Sequence, residues 1–380
     1  MTEVTWRAGG GGQIVRTFWH GPPLDPYRLL CLRSFVAQGH RVELFTYSEG
    51  LSLPDWIVQR NANDIWPTDR VLRYQSGAGL GNPALHANLF RLALLQRLGG
   101  WWIDADVILL RPDLPDDVYF FAREDEPYFN NAVIKFPPRH ALLAEAIEYC
   151  RAIGETAIWT QTGSRLLTDL VRKYDLTRYG RPGEATCPVP WFDIEALFDP
   201  GRCVEVRQRS AKSVFLHLCK QMWHRSGIPS QLAPPQGSFL DELIAELDLG
   251  VRFPGRMDFA GVRERFGRTM RAELMQRTVS LEMTLDERTG RLLAVEQTLG
   301  ERNQRIASLE AALAERDGRL SAIEATLAER DGRLSALEAS SAGGRDAIGG
   351  RRFAKGWWQL YRNKGLKALV SSITPSLRDR

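Results

Sequence analysis

Gln13-Ile-Val-Arg-Thr-Phe-Trp19 is the stretch from which the fold can first be predicted. Its β-branched and aromatic side chains, followed by His20-Gly21-Pro22-Pro23, predict a strand that runs into a loop. A helix is predicted over residues 26–38, closed by Gly39, and Arg41-Val-Glu-Leu-Phe-Thr-Tyr47 has the alternating character of a second strand. This strand–helix–strand order predicts an α/β fold with a Rossmann-like parallel sheet.

A pair of carboxylates lies in the next strand-like stretch of the chain. Leucines spaced three or four apart predict a helix over residues 84–98, which Gly99-Gly100 ends, and residues 101–110 then predict a buried strand. That strand is interrupted by Asp104 and Asp106, whose i and i+2 spacing puts both side chains on one face. At the end of a parallel strand this face opens onto the crevice where ligands bind. Because unpaired charges are costly in an apolar strand, a divalent ion that also bridges a diphosphate is the economical explanation.

Composition narrows the class of protein. The 380 residues allow one large domain with extensions or two domains, and 44% hydrophobic with 25% charged residues is ordinary for a soluble protein. No stretch approaches the ~20 apolar residues of a membrane span, and the first residues do not resemble a secretory signal. A net charge of +4 is too small to imply nucleic acid. The five scattered cysteines predict neither a disulfide framework nor a zinc cluster and favour a cytoplasmic location: Cys31, Cys150, Cys187, Cys203 and Cys219.

Residues 273–342 form five copies of a 14-residue repeat, the first of them degenerate. Two heptads make one repeat, and the apolar period predicts a coiled coil that assembles a homo-oligomer. A lone solvated helix stays open as the alternative, because arginine occupies every second d position and three glycines (Gly290, Gly318, Gly332) each cost about 1 kcal/mol of helix propensity. The a positions are Leu285, Leu292, Leu299, Ile306, Leu313, Leu320, Leu327 and Leu334. The d positions are Leu281, Arg288, Val295, Arg302, Leu309, Arg316, Ile323, Arg330 and Leu337.

The predicted domain boundaries follow from prolines, glycines and this repeat. Prolines and a glycine over residues 229–237 precede a short amphipathic helix near 239–248. We therefore predict a flexible N-terminus (1–12), an α/β domain (13–260), a coiled coil (261–342) and a basic aromatic tail (343–380). From Arg351 the tail has eight Lys or Arg against a single Asp, interleaved with aromatic residues. Two interpretations stay open: residues 351–370 lie on the inner face of an anionic membrane, or the tail is a disordered, solvated segment.

The motif around the two aspartates resembles a known family. Residues 13–226 resemble the DXD-containing glycosyltransferases related to the yeast initiating mannosyltransferase and to bacterial capsule and lipopolysaccharide transferases, and more remotely the glucosylating clostridial toxins. The resemblance rests on Ala87-Asn88-Leu-Phe-Arg91, Leu94-Leu95 and Gly99-Gly100-Trp-Trp-Ile-Asp104-Ala-Asp106. It extends to Phe18-Trp19-His20-Gly21, Asn130-Asn131-Ala132, Thr162-Gly163, and His217 with Trp223. It implies a GT-A fold, a nucleotide-sugar donor, and Mn²⁺ or Mg²⁺ as the cofactor.

The same resemblance assigns roles to individual residues. Asp106 is implied as the direct metal ligand, and Asp104 as a residue that contacts the sugar or ribose and reaches the metal through water. Arg91 is implied to bind the donor, with Asn88 one helical turn earlier on the same face. The donor-side and acceptor-side residues also include Trp19, which would stack on the base, together with His20, Asn131, Thr162, Gly163 and Trp223. His217 is implied as a further metal or diphosphate contact.

Ordinary structural roles remain open for several of these residues. Arg91 could be a cation on a helix surface, Trp19 could be part of the core, and His217 could be a satisfied core histidine. The chain departs from the family at Asn88, where the toxins have an acid, at Ser164, where the relatives often have proline, and after His217, where the usual serine is absent.

The resemblance implies a glycosyltransferase that retains the anomeric configuration and acts on a glycan or lipid-linked acceptor in bacterial surface polysaccharide synthesis. The alternative from a different class is a coiled-coil scaffold whose α/β domain binds a nucleotide sugar without catalysis. A metal-dependent phosphohydrolase would want an additional Asp/His cluster, which the sequence does not offer around this pair.

Overall fold

A computed structural model describes residues 12–124 and 128–341 of the chain. The predicted N-terminal segment up to residue 11 and the tail 343–380, with its candidate membrane segment 351–370, lie outside the described residues. Contacts divide the chain into two compact units, with the division after Ser280. The first unit therefore continues past residue 260, where the α/β domain was predicted to end. Helix residues Val262 and Phe266 belong to its buried core.

Eight strands form two sheets in the described residues. The strands are β1 (Ile14–Phe18), β2 (Arg41–Thr46), β3 (Ile57–Asn61), β4 (Gly100–Ile103), β5 (Val107–Leu109), β6 (Phe120–Arg123), β7 (Phe129–Phe136) and β8 (Phe215–His217). The larger sheet has the order β3-β2-β1-β4-β7-β6, and β5 pairs with β8 in a second, small sheet. Strands β1 to β4 run parallel, as the opening of the sequence predicts, whereas β7 is antiparallel to both β4 and β6.

The sheet is therefore mixed, and the predicted parallel arrangement covers its first four strands. Strands β6 and β7 are joined by residues 124–128 alone. A parallel pair needs a crossover of a dozen or more residues, so a connection of this length forces an antiparallel hairpin.

The helices follow the sequence prediction closely where a local stop signal exists. They are α1 (Pro26–Ala37), α2 (Ala84–Leu98), α3 (Ala141–Ile153), α4 (Ser164–Lys173), α5 (Cys203–Ser210), α6 (Lys220–Ser226), α7 (Phe239–Leu247) and α8 (Phe259–Ser341). The predicted bounds of α2 are confirmed, because Gly99 ends the helix with a φ of 62° that a side chain would disfavour. Helix α1 begins with Asp25 as its N-cap and Pro26 in its first turn, a common start signal.

The predicted strand 101–110 is two strands in the structure. Strand β4 ends at Ile103, and the backbone turns over Asp104-Ala105-Asp106, where the Val107 N–H donates to the Asp104 carbonyl at 3.2 Å. Strand β5 then leaves the main sheet and pairs with β8. The sequence does not indicate this break, because both strands are apolar and buried and so have the same residue pattern. The two aspartates consequently lie in the turn between two sheets and not on one continuous strand.

Buried side chains cover both faces of the larger sheet. Trp101 and Trp102, consecutive on β4, point to opposite faces and are each about 1% exposed. Trp102 packs with residues of α2, α3 and α4, and Trp101 packs with residues of α1, β2 and β8. A further apolar cluster joins α1 to α6, α7 and the first turns of α8. Strand β4 is thus held from both sides, which fixes the position of the turn that follows it.

Helix α8 is continuous from Phe259 to Ser341. The leucine, isoleucine and valine side chains at the predicted a and d positions are 49% to 65% exposed. None of the helices in the described residues is long and apolar enough to pass through a bilayer.

A buried ion-pair cluster joins the three neighbouring strands β1, β2 and β3. Glu43 of β2 is buried and binds Arg16 Nε at 3.0 Å and Arg60 Nη2 at 2.7 Å. Burial opposes ionisation, but the two guanidinium groups outweigh it and hold the pKa of Glu43 below its usual range. A lowered folded pKa stabilises the protein above about pH 4.3, the unfolded value, and this contribution is lost as the pH falls through the folded pKa.

We expect Glu43→Gln to lower the free energy of unfolding at pH 7 by roughly 2 kcal/mol, because it leaves Arg16 partly buried without a counter-charge. The deficit relative to wild type should shrink at pH 3, where Glu43 of the wild type is itself being protonated. Urea unfolding followed by circular dichroism at the two pH values measures both differences. A deficit of equal size at both pH values would contradict the assigned electrostatic role.

Candidate active site

Two carboxylates and one imidazole converge at the carboxyl end of β4. Asp104, Asp106 and His217 each offer one ligand atom, and these atoms lie within 4.8 Å of one another. Asp104 and Asp106 come from the turn after β4, whereas His217 ends β8, more than a hundred residues later. The pairing of β5 with β8, in which Val107 lies opposite His217, brings the imidazole to the turn.

Hydrogen bonds to the backbone hold the turn in place. The Asp104 N–H donates to the Ala132 carbonyl of β7 at 2.7 Å, and the Asp106 carbonyl accepts from the Leu218 N–H at 2.9 Å. The Asp106 side chain accepts from the Lys220 backbone N–H at 2.9 Å through Oδ2, which also lies 3.4 Å from His217 Nε2. Strand β7 and the residues that directly follow β8 thus hold the turn in place.

Arg91 of α2 lies beneath the turn and is 3% exposed. Its Nη2 donates to Asp104 Oδ1 at 2.5 Å, and its guanidinium lies 4.9 Å from the centroid of the Trp102 ring. Trp102 Nε1 donates to the same Asp104 oxygen at 2.7 Å. Both bonds are made to Oδ1, which leaves Oδ2 as the oxygen that can contact a ligand. The structure therefore excludes a role for Arg91 as a helix-surface cation.

Asn88 connects Arg91 to the segment around Thr162. Its Oδ1 accepts from Arg91 Nη1 at 2.8 Å and from Asn131 Nδ2 at 3.1 Å. Its Nδ2 donates to Thr162 Oγ1 at 3.2 Å and to Tyr74 Oη at 3.3 Å. Both ends of the Asn88 amide are thus occupied by protein groups, and the side chain is buried. In this arrangement Asn88 and Arg91 are bonded to each other, and Arg91 is bonded to Asp104.

The two carboxylates have opposite pKa shifts. Burial raises the pKa of Asp104 above its usual range, although the Arg91 guanidinium opposes the shift. Burial acts in the same direction on Asp106, but the His217 imidazole and the Lys220 backbone N–H outweigh it and hold the pKa of Asp106 below its usual range. Neighbouring carboxylates whose pKa values are driven apart are typical of functional sites.

The donor set fits a hard divalent cation. Carboxylate oxygens are the ligands that Mg²⁺ and Mn²⁺ prefer, and imidazole nitrogen is a ligand that Mn²⁺ shares with softer metals. Two carboxylates with one imidazole leave coordination positions for the oxygens of a diphosphate. Mn²⁺ and Mg²⁺ are both compatible with these residues.

The structure does not bring all of the predicted site residues together. Trp19 is half-buried, donates from Nε1 to the Pro22 carbonyl at 2.8 Å, and lies 4.6 Å from the Arg28 guanidinium. His20 is also half-buried, with Nε2 at 3.4 Å from Arg73 Nη2. Within the described chain, neither residue is hydrogen-bonded to the Asp104–Asp106 turn.

Trp223 lies in the core and not at the site surface. It is fully buried, with its ring 4.7 Å from that of Phe198 and 4.8 Å from that of Tyr27. A donor could not contact this side chain without disrupting the cluster that joins α1, α6 and α7. Burial at this position is the physical reason why the implied ligand contact does not fit the structure.

Three residues that stabilise the site were not predicted. Trp102 is part of the recognised motif, and its alternation with Trp101 could have suggested a side chain facing α2. Tyr74 lies in a segment without apolar periodicity and gives no local signal. Lys220 contributes its backbone N–H to Asp106, and its buried Nζ binds Asp25 Oδ1 at 3.1 Å and Ser230 Oγ at 2.7 Å. Backbone donors carry no side-chain signature in a sequence.

Gly163 provides a test of how closely the polar network is packed. A Cβ at this position would lie 3.0 Å from Asn131 Nδ2 and 3.3 Å from Asn88 Nδ2. We expect Gly163→Ala to lower any activity of the site about tenfold and the free energy of unfolding by about 1 kcal/mol, since the amides must move away from Arg91. Turnover and thermal unfolding measure the two effects. Gly50→Ala is the control, because an added methyl there meets no atom within 4 Å; equal behaviour of the two variants would contradict the prediction.

Comparison with known proteins gives partial matches to glycosyltransferases. No protein-family model matches the sequence. The chain is 35% identical over 82 residues to the alpha-1,4-N-acetylglucosaminyltransferase of Homo sapiens, which covers 22% of this chain and 24% of the relative. It is 26% identical over 166 residues to the lactosylceramide 4-alpha-galactosyltransferase of Rattus norvegicus, which covers 41% and 45% of the two chains. The chain thus spans less than half the length of these curated relatives.

Two solved structures also resemble the chain at low overall similarity. The PaToxG glycosyltransferase has 12% identity and a TM-score of 0.33, covering 53% of this chain and 78% of that one. The WbbM bifunctional glycosyltransferase has 10% identity and a TM-score of 0.36, covering 70% of this chain and 53% of that one. The partial sequence matches above are thus the comparisons that relate this chain to proteins named as glycosyltransferases.

Proposed function

We propose that this chain is a metal-dependent glycosyltransferase that moves a sugar from a nucleotide-sugar donor to a glycan or lipid-linked acceptor. The observation that carries the proposal is the convergence of Asp104, Asp106 and His217 on one point at the carboxyl end of β4. In the parallel part of a sheet, ligands bind at the edge formed by the carboxyl ends of the strands. The partial sequence similarity to two enzymes with glycosyltransferase names supports the same reaction class.

Asp106 and His217 would hold the cation directly, and Asp104 would contact it or a donor hydroxyl through Oδ2. A divalent cation bound there supplies positive charge that stabilises the negative charge developing on the departing diphosphate. Mn²⁺ and Mg²⁺ are the candidates that the donor set suits.

The protein's own part in the reaction is to hold this arrangement rigid. Arg91 and Trp102 fix the Asp104 carboxylate through two hydrogen bonds to Oδ1. Asn88 and Asn131 extend this support towards Thr162 and Gly163, which we propose line the sugar side. Trp19 and His20, in the loop after β1, are proposed to face the nucleotide. Groups that are already positioned need not reorganise during the reaction.

We further propose that transfer retains the anomeric configuration. In that reaction the bond from the sugar C1 to the diphosphate breaks, the acceptor oxygen forms the new C1 bond on the same face, and the acceptor's proton leaves with the diphosphate or to solvent. Both relatives have names that specify an alpha linkage. Transfer from an alpha-linked donor to an alpha linkage is retention.

The acceptor class is a separate part of the proposal. The rat relative is named for transfer to lactosylceramide, a lipid-linked glycan. With the resemblance to capsule and lipopolysaccharide transferases, this favours a glycan or lipid-linked acceptor in surface polysaccharide synthesis.

A thermal-shift screen tests the proposed donor class. UDP-, GDP- and CMP-sugars are added to the purified chain with Mn²⁺, with Mg²⁺ and with EDTA. We expect one nucleotide class to raise the melting temperature only when a divalent ion is present, and the same donor to be hydrolysed slowly. Binding without any hydrolysis or transfer would instead favour the scaffold with a non-catalytic domain. A stabilisation that is equal in EDTA would contradict the role of the metal.

A further inference from the structure

The apolar seam of α8 is unusually exposed for a helix of its length. We define the seam as the a and d positions from Leu281 to Leu337. Its thirteen aliphatic side chains are each 49% to 65% exposed within the chain. Exposed apolar side chains that recur along one side of a helix mark an interaction site. A period of seven residues sustained over these turns is the pattern of helices that pack on one another.

Charged residues flank the seam with opposite signs on its two sides. With the seam at a and d, the g positions include four arginines, and the e positions are acidic in six of the eight heptads from Leu285 onward. The arginines are Arg291, Arg305, Arg319 and Arg333, and the acidic residues are Glu296, Glu310, Asp317, Glu324, Asp331 and Glu338. One edge of the helix is thus basic and the other acidic.

We propose that α8 pairs with α8 of a second copy of this chain as a parallel, in-register, two-stranded coiled coil. In a parallel pair each g residue lies beside the partner's e residue of the next heptad. This juxtaposes Arg291 with Glu296 of the partner subunit, and the same offset repeats for Arg305, Arg319 and Arg333. An antiparallel pair instead places g beside g and e beside e, which would oppose arginine to arginine and acid to acid.

The arginines at d positions are compatible with this orientation. A d side chain in a parallel pair contacts the partner's residue at e as well as at d. Arg316 and Arg330 are each followed at e by an aspartate, Asp317 and Asp331. Within one chain Arg316 Nη2 already lies 3.8 Å from Asp317 Oδ1. The acidic edge can therefore neutralise two of the four arginines of the seam, whereas Arg288 and Arg302 are followed at e by Thr289 and Asn303.

The remaining pattern of α8 fits a single seam. Gly290, Gly318 and Gly332 occupy f positions, opposite the seam, where the absence of a side chain removes no contact between the helices. Glutamates at c pair with three of the four g arginines of the same chain, as Arg291 Nη2 does with Glu287 Oε1 at 2.5 Å. These pairs hold the arginines along the edge that a partner would meet. Dimerisation through α8 is independent of transferase activity.

Cysteine crosslinking in the full chain tests the orientation. Leu337→Cys places a thiol at a d position, where a parallel pair brings it beside its own copy. In an antiparallel pair centred on the seam, the two thiols would lie roughly 80 Å apart, since a helix rises 1.5 Å per residue. We expect mild oxidation to give a reducible dimer with Leu337→Cys, and none with wild type or with Ala339→Cys, which lies at f.

A mass measurement tests the number of chains in the assembly, and charge variants test the pairing between its basic and acidic edges. Light scattering during gel filtration should give twice the 42.9 kDa of one chain. Replacing the four e glutamates 296, 310, 324 and 338 by glutamine should weaken the dimer on the order of a hundredfold, because eight pairs between the chains are lost. Replacing the c glutamates 287, 301, 315 and 329 removes the same charge away from the partner and should weaken it less than tenfold. A single-chain or three-chain mass, equal effects of the two sets, or a dimer without the Leu337→Cys crosslink would overturn the proposal.

Discussion

Asp106→Asn is expected to abolish sugar transfer and donor hydrolysis, with a loss on the order of a thousandfold or more. The amide has almost the same size as the carboxylate and can still accept the Lys220 N–H bond through its oxygen. It cannot supply the negative oxygen that a divalent cation needs beside His217. The turn after β4 should therefore keep its conformation while the site loses its ligand. Nucleotide release with the donor identified by the thermal-shift screen measures the effect.

Asp113→Asn is the matched control for this variant. Asp113 is exposed in the loop that follows β5, so the substitution removes one carboxylate close to the site in the sequence without touching it. We expect it to retain wild-type turnover, and both variants to melt within a few degrees of the wild type. Transfer by Asp106→Asn at more than a tenth of the wild-type rate would contradict the role assigned to this carboxylate.

Arg91→Lys should cause the second large loss. The buried guanidinium bonds Asp104 and Asn88 through different nitrogens while it stacks on Trp102. A lysine carries the same charge, but it has one nitrogen and no planar group, so it cannot make these contacts at once. We expect turnover to fall about a hundredfold, because Asp104 is no longer held in position, and the free energy of unfolding to fall by about 2–3 kcal/mol.

Arg97→Lys, on the exposed part of the same helix, provides the comparison for Arg91→Lys. It should change stability by less than about 0.5 kcal/mol and leave turnover unchanged. Steady-state kinetics and urea unfolding of both variants give the required numbers. Because Arg91 is proposed to act through Asp104, adding Asp104→Asn to Arg91→Lys should cause much less than the product of the two separate losses. Independent, multiplying effects would indicate that Arg91 acts on the donor by another route.

The parts of the fold that the sequence predicts well depend on local signals. Helix α2 has a regular leucine spacing and a Gly-Gly stop, and its predicted bounds match the structure. The first two strands and α7 were also predicted close to their observed bounds. In each case the apolar period and the terminating residues lie within one short window, so no distant partner is needed to identify the element.

The break between β4 and β5 could not be predicted in this way. Residues 101–110 are apolar apart from Asp104 and Asp106, so the sequence predicts one strand. Strand β5 instead leaves the main sheet and pairs with β8, which lies about a hundred residues later. The same pairing brings His217 to the acidic turn. Trp223 was likewise not predicted to be buried, because its ring packs against those of Tyr27 and Phe198, which lie elsewhere in the sequence. Contacts between residues far apart in the sequence thus determine the break between β4 and β5, the position of His217 and the burial of Trp223.

Manganese binding is the most direct test of the claim that Asp104, Asp106 and His217 hold a cation that binds a diphosphate. Free Mn²⁺ is followed by electron paramagnetic resonance while it is titrated into the purified chain, alone and with UDP or GDP. We predict one site per chain that binds more tightly when the matching nucleoside diphosphate is present, and that is lost in Asp106→Asn. Manganese binding that is absent from the wild type, or that is unchanged in Asp106→Asn, would contradict the account.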